Sequence, residues 1–305
     1  MPATAVSALA SQAETPARTR RVRSFIELSK PGITLMEVVT AAVGYWVAQP
    51  WLHRDLWTVL WQLLVLSVGV LFLGASAGAF NHLLERRSDA AMQRTSLRPL
   101  PAGRISPGAA YAYAWSLLGL GTITLLLLGW TVALLGVATV ALYALLYTPL
   151  KTKTALALYL GGIPGALPVV GGWVAGGGEL FSPEAAILAA IMFWWQLPHF
   201  LALAILYADD YRRGGIVLLG DGNPNRLASH TLIYAVLLVL ASAAWWVWGK
   251  GGILYALGCG TLSAWLLVRC MQLVRQPTLS SGRHVLIATY MFLMGLFLLA
   301  AVDLR

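Results

Sequence analysis

Apolar residues run along this chain in long blocks. They do not show the period-2 alternation of half-buried strands or the narrow stripe of a surface helix. Nine blocks stand out, at about 32–49, 57–83, 107–128, 130–147, 155–175, 184–207, 229–249, 252–273 and 285–302. A helix needs roughly 20 residues to cross about 30 Å of hydrocarbon, and these blocks have that length. In lipid no water can satisfy backbone N–H and C=O groups, so nine membrane-spanning helices are predicted. The connections after the second and sixth blocks are long and polar, whereas the one at Trp130 is almost absent. Each long loop follows a helix that ends in acidic residues, Glu85 and Asp89 in one case, Asp209 and Asp210 in the other. This rough internal echo suggests a duplicated helical unit.

Composition agrees with the pattern. Of 305 residues, 59% are hydrophobic and 11% are charged. An average soluble domain carries about 25% charged residues. That excludes an ordinary soluble enzyme and a disordered chain, and leaves an all-α membrane protein. The net charge is +9. In a soluble protein this would raise nucleic acid as a partner. Here a cytoplasmic N-terminus places every Lys and Arg on the inner side except Arg54, Lys250 and Arg305. The bias is therefore read as topology, with lipid and not nucleic acid as the surroundings, and with the C-terminus outside. The Ala/Ser/Thr/Arg-rich start lacks the apolar core of a signal peptide. Residues 1–24 are expected to be a flexible cytoplasmic tail, and 25–305 a single domain. Cys259 and Cys270 lie in an apolar block and form neither a CxxC site nor a disulfide framework.

Chemistry concentrates at the inner end of the second block. Asn81, Glu85 and Asp89 recur every four residues, which stacks three oxygen-bearing side chains on one helix face. Hard cations such as Mg²⁺ take such oxygens, together with water and substrate phosphate. Arg94 and Arg98 follow with the same spacing, and guanidinium suits phosphate. The set reads as a Mg²⁺-diphosphate site, or as a solvated helix end closed by its own salt bridges. Asp209 and Asp210, before Tyr211, Arg212 and Gly214, could bind a second cation or simply mark a helix end. Gln196 and His199 lie inside an apolar block, either contacting a polar part of a buried substrate or bonding helix to helix. Lys151 could reach a diphosphate or serve as an inside anchor. Gly161, Gly162, Pro164, Gly165 and Pro168 break the fifth block and would permit close packing or a cavity.

With these residues in view, the sequence resembles the UbiA superfamily of intramembrane prenyltransferases. The superfamily's Asn-xxx-Asp-xxx-Asp motif reads Asn81, Glu85, Asp89 here. Within the superfamily it is most similar to the branch that farnesylates heme. That branch's Met-x-Arg-Thr-xx-Arg-Pro-Leu extension is matched by Met92, Arg94, Thr95, Arg98, Pro99 and Leu100. Its Trp-Gln-x-Pro-His-Phe stretch is matched by Trp195, Gln196, Pro198, His199 and Phe200, and its Tyr-Thr-x-x-Lys segment by Tyr147, Thr148 and Lys151. Asp210, Tyr211, Gly214, Gly215 and Ile216 match its Asp-Tyr-xx-Gly/Ala-Gly-Ile loop. The chain departs from the pattern at Glu85, where Asp is commoner, at Arg87, where many members carry Asp, and in the adjacency of Asp209 and Asp210.

The resemblance implies a nine-helix UbiA-type bundle with a central cavity open to the cytoplasmic side of a bacterial inner membrane. It implies transfer of a farnesyl group from farnesyl diphosphate to a vinyl group of heme B, giving heme O for terminal oxidases. A downstream heme A synthase or oxidase assembly factor would then be a partner. Carried over residue by residue, it assigns Mg²⁺ to Asn81, Glu85 and Asp89, with Asp209 and Asp210 as the second acidic motif. Arg94, Arg98 and Lys151 would neutralise the diphosphate, and Asp210 joins the catalytic set. Thr95, Gln196, His199, Tyr211 and Arg212 complete the substrate contacts. The competing readings are a UbiA enzyme with an aromatic quinone-precursor acceptor and a transporter. A transporter would scatter polar residues through mid-membrane and over both faces, whereas here they crowd one face.

Overall fold

The computed structural model describes residues 17–48, 54–248 and 250–304, with the backbone alone for 17–20. Among these residues nine helices are long and apolar enough to cross a membrane. A short helix α1 (Ala17–Leu28) leads into α2 (Pro31–Ala48), α3 (Leu56–Ala91) and α4 (Pro107–Leu126). Helix α5 (Trp130–Ala141) continues through a π-helical turn, Leu142–Tyr147, to Leu150. Then come α6 (Ala157–Ala175), α7 (Pro183–Leu206), the short α8 (Ala208–Arg213), α9 (Pro224–Val247), α10 (Ile253–Arg275) and α11 (Leu279–Val302).

Local sequence explains the helix ends. Ser106, Ser182 and Asn223 cap α4, α7 and α9, each followed by a proline whose missing N–H costs nothing at the first helical position. Thr278 and Ser281 form a reciprocal capping box on α11. These caps move the starts of α9 and α11 to Pro224 and Leu279, ahead of the expected 229 and 285. Helix α3 runs on to Ala91, past the apolar block that stops near 83, and so carries Glu85 and Asp89 at its end as the spacing predicts. Its last two turns are polar, so the apolar block alone does not include them. At the other end, residues 17–24, read as tail, belong to α1. Residues 1–16 of that expected tail lie outside the described part, as does Arg305.

The helices pack in two groups joined through α6, which contacts α2, α5 and α7. Helices α2 to α5 form one group, and α7, α9, α10 and α11 the other. Small residues let α2 and α6 nearly touch. A Cβ on Gly44 would come 2.0 Å from the Val169 carbonyl oxygen, and one on Gly172 would come 1.9 Å from that of Ala41. Lipid offers no hydrophobic drive between helices, so such close backbone packing supplies much of the adhesion. The buried core centres on α7 and α9–α11, with Leu197, Leu238, Leu266 and Phe292 wholly enclosed. This half leaves the N-terminal end of α2 and the C-terminal ends of α3 and α5 to build the polar site.

Candidate active site

The polar extension of α3 makes the site. Asn81, Glu85 and Asp89 lie on one face of it, and all three are buried. They face cations from three other segments. Lys30, at the turn between α1 and α2, donates to Asn81 Oδ1. Asn81 Nδ2 donates to Glu85 and, at 3.0 Å, to Thr148 Oγ1 of α5. Lys151 Nζ stands 2.5 Å from Glu85 Oε1. Arg98 Nη1 bridges both oxygens of Asp89 at 2.8 and 2.9 Å. His82, also buried, has its Nδ1 3.9 Å from Asp89 Oδ2 without a hydrogen bond. Two carboxylates thus stand against three cations in a pocket shielded from bulk water. There each charge interaction exceeds its value in solvent.

Lys30 gave no signal in the sequence beyond positive-inside bias. The fold brings its ammonium to the motif amide, where burial, offset by Glu85 and reinforced by Arg98 and Lys151, pushes its pKa down to about 8. Its φ is +47°, a left-handed conformation that a non-glycine residue adopts at a cost. The π turn before Thr148 is a second feature missed by pattern reading. It sets the Tyr143 and Tyr147 rings 5.3 Å apart, with Lys30 Nζ 6.0 Å from the Tyr143 ring. Gly161 leaves room for Tyr147, since a Cβ there would lie 2.6 Å from that ring.

The two long polar loops are tied together beside this pocket. Asp210 accepts backbone N–H groups from Gln93 (2.9 Å) and Arg94 (3.2 Å) and pairs with Arg213. Burial acts to raise its carboxyl, but the Arg213 hydrogen bond and the two N–H donors outweigh it and hold the pKa below the ordinary range. Ser88 Oγ donates to the Gly214 carbonyl at 2.6 Å, and Val217 N–H donates to the Lys151 carbonyl at 2.9 Å. Arg94 lays its guanidinium 5.0 Å over the Tyr207 ring. Burial raises the Tyr211 hydroxyl, which lies within electrostatic range of Arg94, Glu85 and Arg98.

Other expected site residues go elsewhere. Asp209 is 78% exposed and pairs at 3.2 Å with Arg212, itself 79% exposed. Asp209 and Arg212 therefore face solvent, while Asp210 is buried. Thr95 Oγ1 donates to the Asp89 carbonyl at 2.9 Å and closes the end of α3. Gln196 bonds the Gly162 carbonyl of α6 at 3.1 Å, and His199 Nδ1 meets Thr289 Oγ1 of α11 at 3.0 Å. Both thus bond helix to helix. Trp195 shares the arrangement, donating to the Thr289 carbonyl at 2.7 Å and stacking on His199 with ring centroids 5.0 Å apart.

The donor set fits Mg²⁺ only in company. Among the described residues no three His, Cys, Asp or Glu side chains converge to hold a metal alone. Glu85 and Asp89 are held by different cations, and the third motif donor is an amide oxygen. Two carboxylates and an amide are the hard, incomplete ligand set that a phosphate-bridged Mg²⁺ uses.

Comparison with known proteins shows the family. The sequence pattern of the UbiA prenyltransferase family matches residues 38–298. The chain belongs to the UbiA prenyltransferase family. It is a membrane-embedded prenyltransferase. A protoheme IX farnesyltransferase of Solibacter usitatus is 35% identical over 289 residues, covering 92% of this chain and 99% of that protein. One from Marinobacter nauticus is 33% identical over 308 residues, covering 98% of each. Among solved structures, a digeranylgeranylglyceryl phosphate synthase superposes with a TM-score of 0.75 at 16% identity, covering 93% of this chain and 98% of that one. A UbiA homolog from Archaeoglobus fulgidus bound to GPP and Mg²⁺ superposes at 0.64 and 17% identity, covering 92% and 100%. At such identities the structural likeness speaks for the family fold.

Proposed function

We propose that this enzyme transfers the farnesyl group of farnesyl diphosphate to a vinyl group of heme B, giving heme O and diphosphate. The observation that carries the diphosphate half is the convergence of Lys30, Lys151 and Arg98 on Asn81, Glu85 and Asp89. That pocket has one more cation than carboxylates, which suits a Mg²⁺-diphosphate unit of net negative charge. The relatives named as protoheme IX farnesyltransferases support heme B as the acceptor over a quinone precursor.

In this reading Asn81, Glu85 and Asp89 hold Mg²⁺ against the diphosphate. When bound, the ion draws charge from the leaving diphosphate. Lys30 exchanges its amide partner, and Lys151 and Arg98 their carboxylate partners, in part for phosphate oxygens, and they stabilise the charge that develops as the C–O bond breaks. Asp210 keeps the two inner loops together over the pocket and limits water at the allylic cation. The vinyl group attacks that cation, and water closes the sequence. The apolar bundle solvates both lipophilic substrates. The enzyme sits in the bacterial inner membrane with its N-terminus cytoplasmic, on the side where the basic residues gather.

The test uses the purified full-length protein in detergent with heme B, farnesyl diphosphate and Mg²⁺. Farnesylated, hydrated heme found by mass is the expected result. Prenylation of a hydroxybenzoate in place of heme would overturn the acceptor assignment.

A further inference from the structure

The site described above leaves one intramembrane carboxylate unused. Glu37 lies seven residues beyond Lys30 on α2, about 10 Å deeper along the helix axis. Gly74, seven residues before Asn81 on α3, stands at the same depth. A Cβ on Gly74 would come 2.2 Å from Glu37 Oε2, so glycine is what leaves space for the carboxylate. Glu37 lines a cavity with Leu73, Gly136, Thr139, Pro168 and Gly171, contributed by α3, α5 and α6. The carboxylate therefore faces the interior of the bundle. Among the described residues no hydrogen bond or ion pair reaches its oxygens, and Lys30 acts on it only through space. Helix side chains tilt toward the N-terminus, so the carboxylate leans back toward the diphosphate level. Tyr143, with Lys30 over its ring, lies within electrostatic range of both Glu85 and Glu37 and links the two levels.

An ionisable group held without a partner among apolar helices is costly, and it marks a polar event in the site. The farnesylation reading, on which this step rests, contains such an event. Once the vinyl carbon has bonded to the farnesyl C1, the positive charge sits on the neighbouring ring-attached carbon. That cation either loses a proton, giving an alkene, or gains a water, giving an alcohol. The second outcome forms a C–O bond and releases a proton from the water.

We infer that Glu37 is the base that binds this water and takes its proton as the C–O bond forms. The proton then passes from the carboxyl to solvent, and no oxidant or further reactant is needed.

Product partition tests the inference in the full-length enzyme given heme B, farnesyl diphosphate and Mg²⁺. Wild-type protein is expected to give the alcohol. Glu37→Gln is expected to release diphosphate still, but to yield mainly farnesylated heme lighter by one water, with alcohol formation slowed roughly a hundredfold. Glu37→Asp retains a carboxylate and is expected to restore part of the alcohol, which also covers a folding failure of the first variant. An unchanged alcohol fraction in both variants overturns the role of Glu37. So does loss of diphosphate release in a variant that still binds farnesyl diphosphate normally, since Glu37 would then act before the C–C bond forms. Absence of any farnesylated heme from the wild-type enzyme would instead overturn the farnesylation reading itself.

Discussion

Two helix ends in this protein look alike as sequence and differ as chemistry. Each closes a long apolar run with acidic residues followed by arginines, Glu85 and Asp89 at the end of α3, Asp209 and Asp210 after α7. At the first, the helix continues past the apolar block, so residues four apart remain on one face and are buried against ammonium and guanidinium groups. Those partners are side chains, and they can shift to an incoming anion. At the second, α7 ends at Leu206 and the six-residue α8 turns the adjacent acids in different directions. Asp209 meets water, and Asp210 is saturated by two backbone N–H donors and Arg213. A carboxylate held by backbone donors fixes a loop, whereas one held by mobile cations stays available to a ligand.

This contrast can be broken or sharpened by experiment. Asp89→Asn carries the largest expected effect. Removing this preorganised charge should lower turnover about 10²–10³-fold, measured by heme product formation, with expression retained. Near-normal turnover would remove Asp89 from the site. Lys151→Met comes next, with the KM for farnesyl diphosphate rising about tenfold as one charge-assisted contact is lost. It also strands Glu85, so its melting temperature should fall. Adding Glu85→Gln should recover the melting temperature but not the activity, a pattern that a purely structural pair would not give.

Asp210→Asn should act mainly on stability. Weakening its two N–H bonds should cost about 1–3 kcal/mol, and proteases should cut residues 92–106 faster. Its pH dependence follows from its depressed pKa. The folded state holds the proton less readily than the unfolded chain, so the stabilisation is present above the ordinary carboxyl value near 4 and is lost as pH falls through the lower folded value. The variant should therefore show a flatter fall in melting temperature on acidification. Asp209→Asn is the smallest change. An exposed ion pair contributes little, so turnover should stay within about twofold and stability within about 0.5 kcal/mol. A large loss of activity there would make the two helix ends chemically equivalent after all.

Much of this protein was legible in one dimension. The length and apolarity of the blocks gave nine spans, because in lipid a chain without the alternation of barrel strands can satisfy its backbone only as helix. The four-residue spacing put Asn81, Glu85 and Asp89 on one face, because a helix has 3.6 residues per turn whatever surrounds it. The motifs pointed to the family. What the sequence could not contain was convergence between distant segments. Lys30 read as an ordinary inside anchor and Lys151 as either an anchor or a diphosphate contact, and only the close approach of α2 and α5 to α3 brought them to Asn81 and Glu85. Gln196 and His199 read equally well as substrate contacts, and packing directed them to carbonyl and hydroxyl groups on α6 and α11. Glu37 gained its place from Gly74, a residue 37 positions away that makes the space for it. Local periodicity determined which side chains could share a face. Tertiary packing decided which partners they met, because burial makes every polar group find one or carry the cost of lacking it.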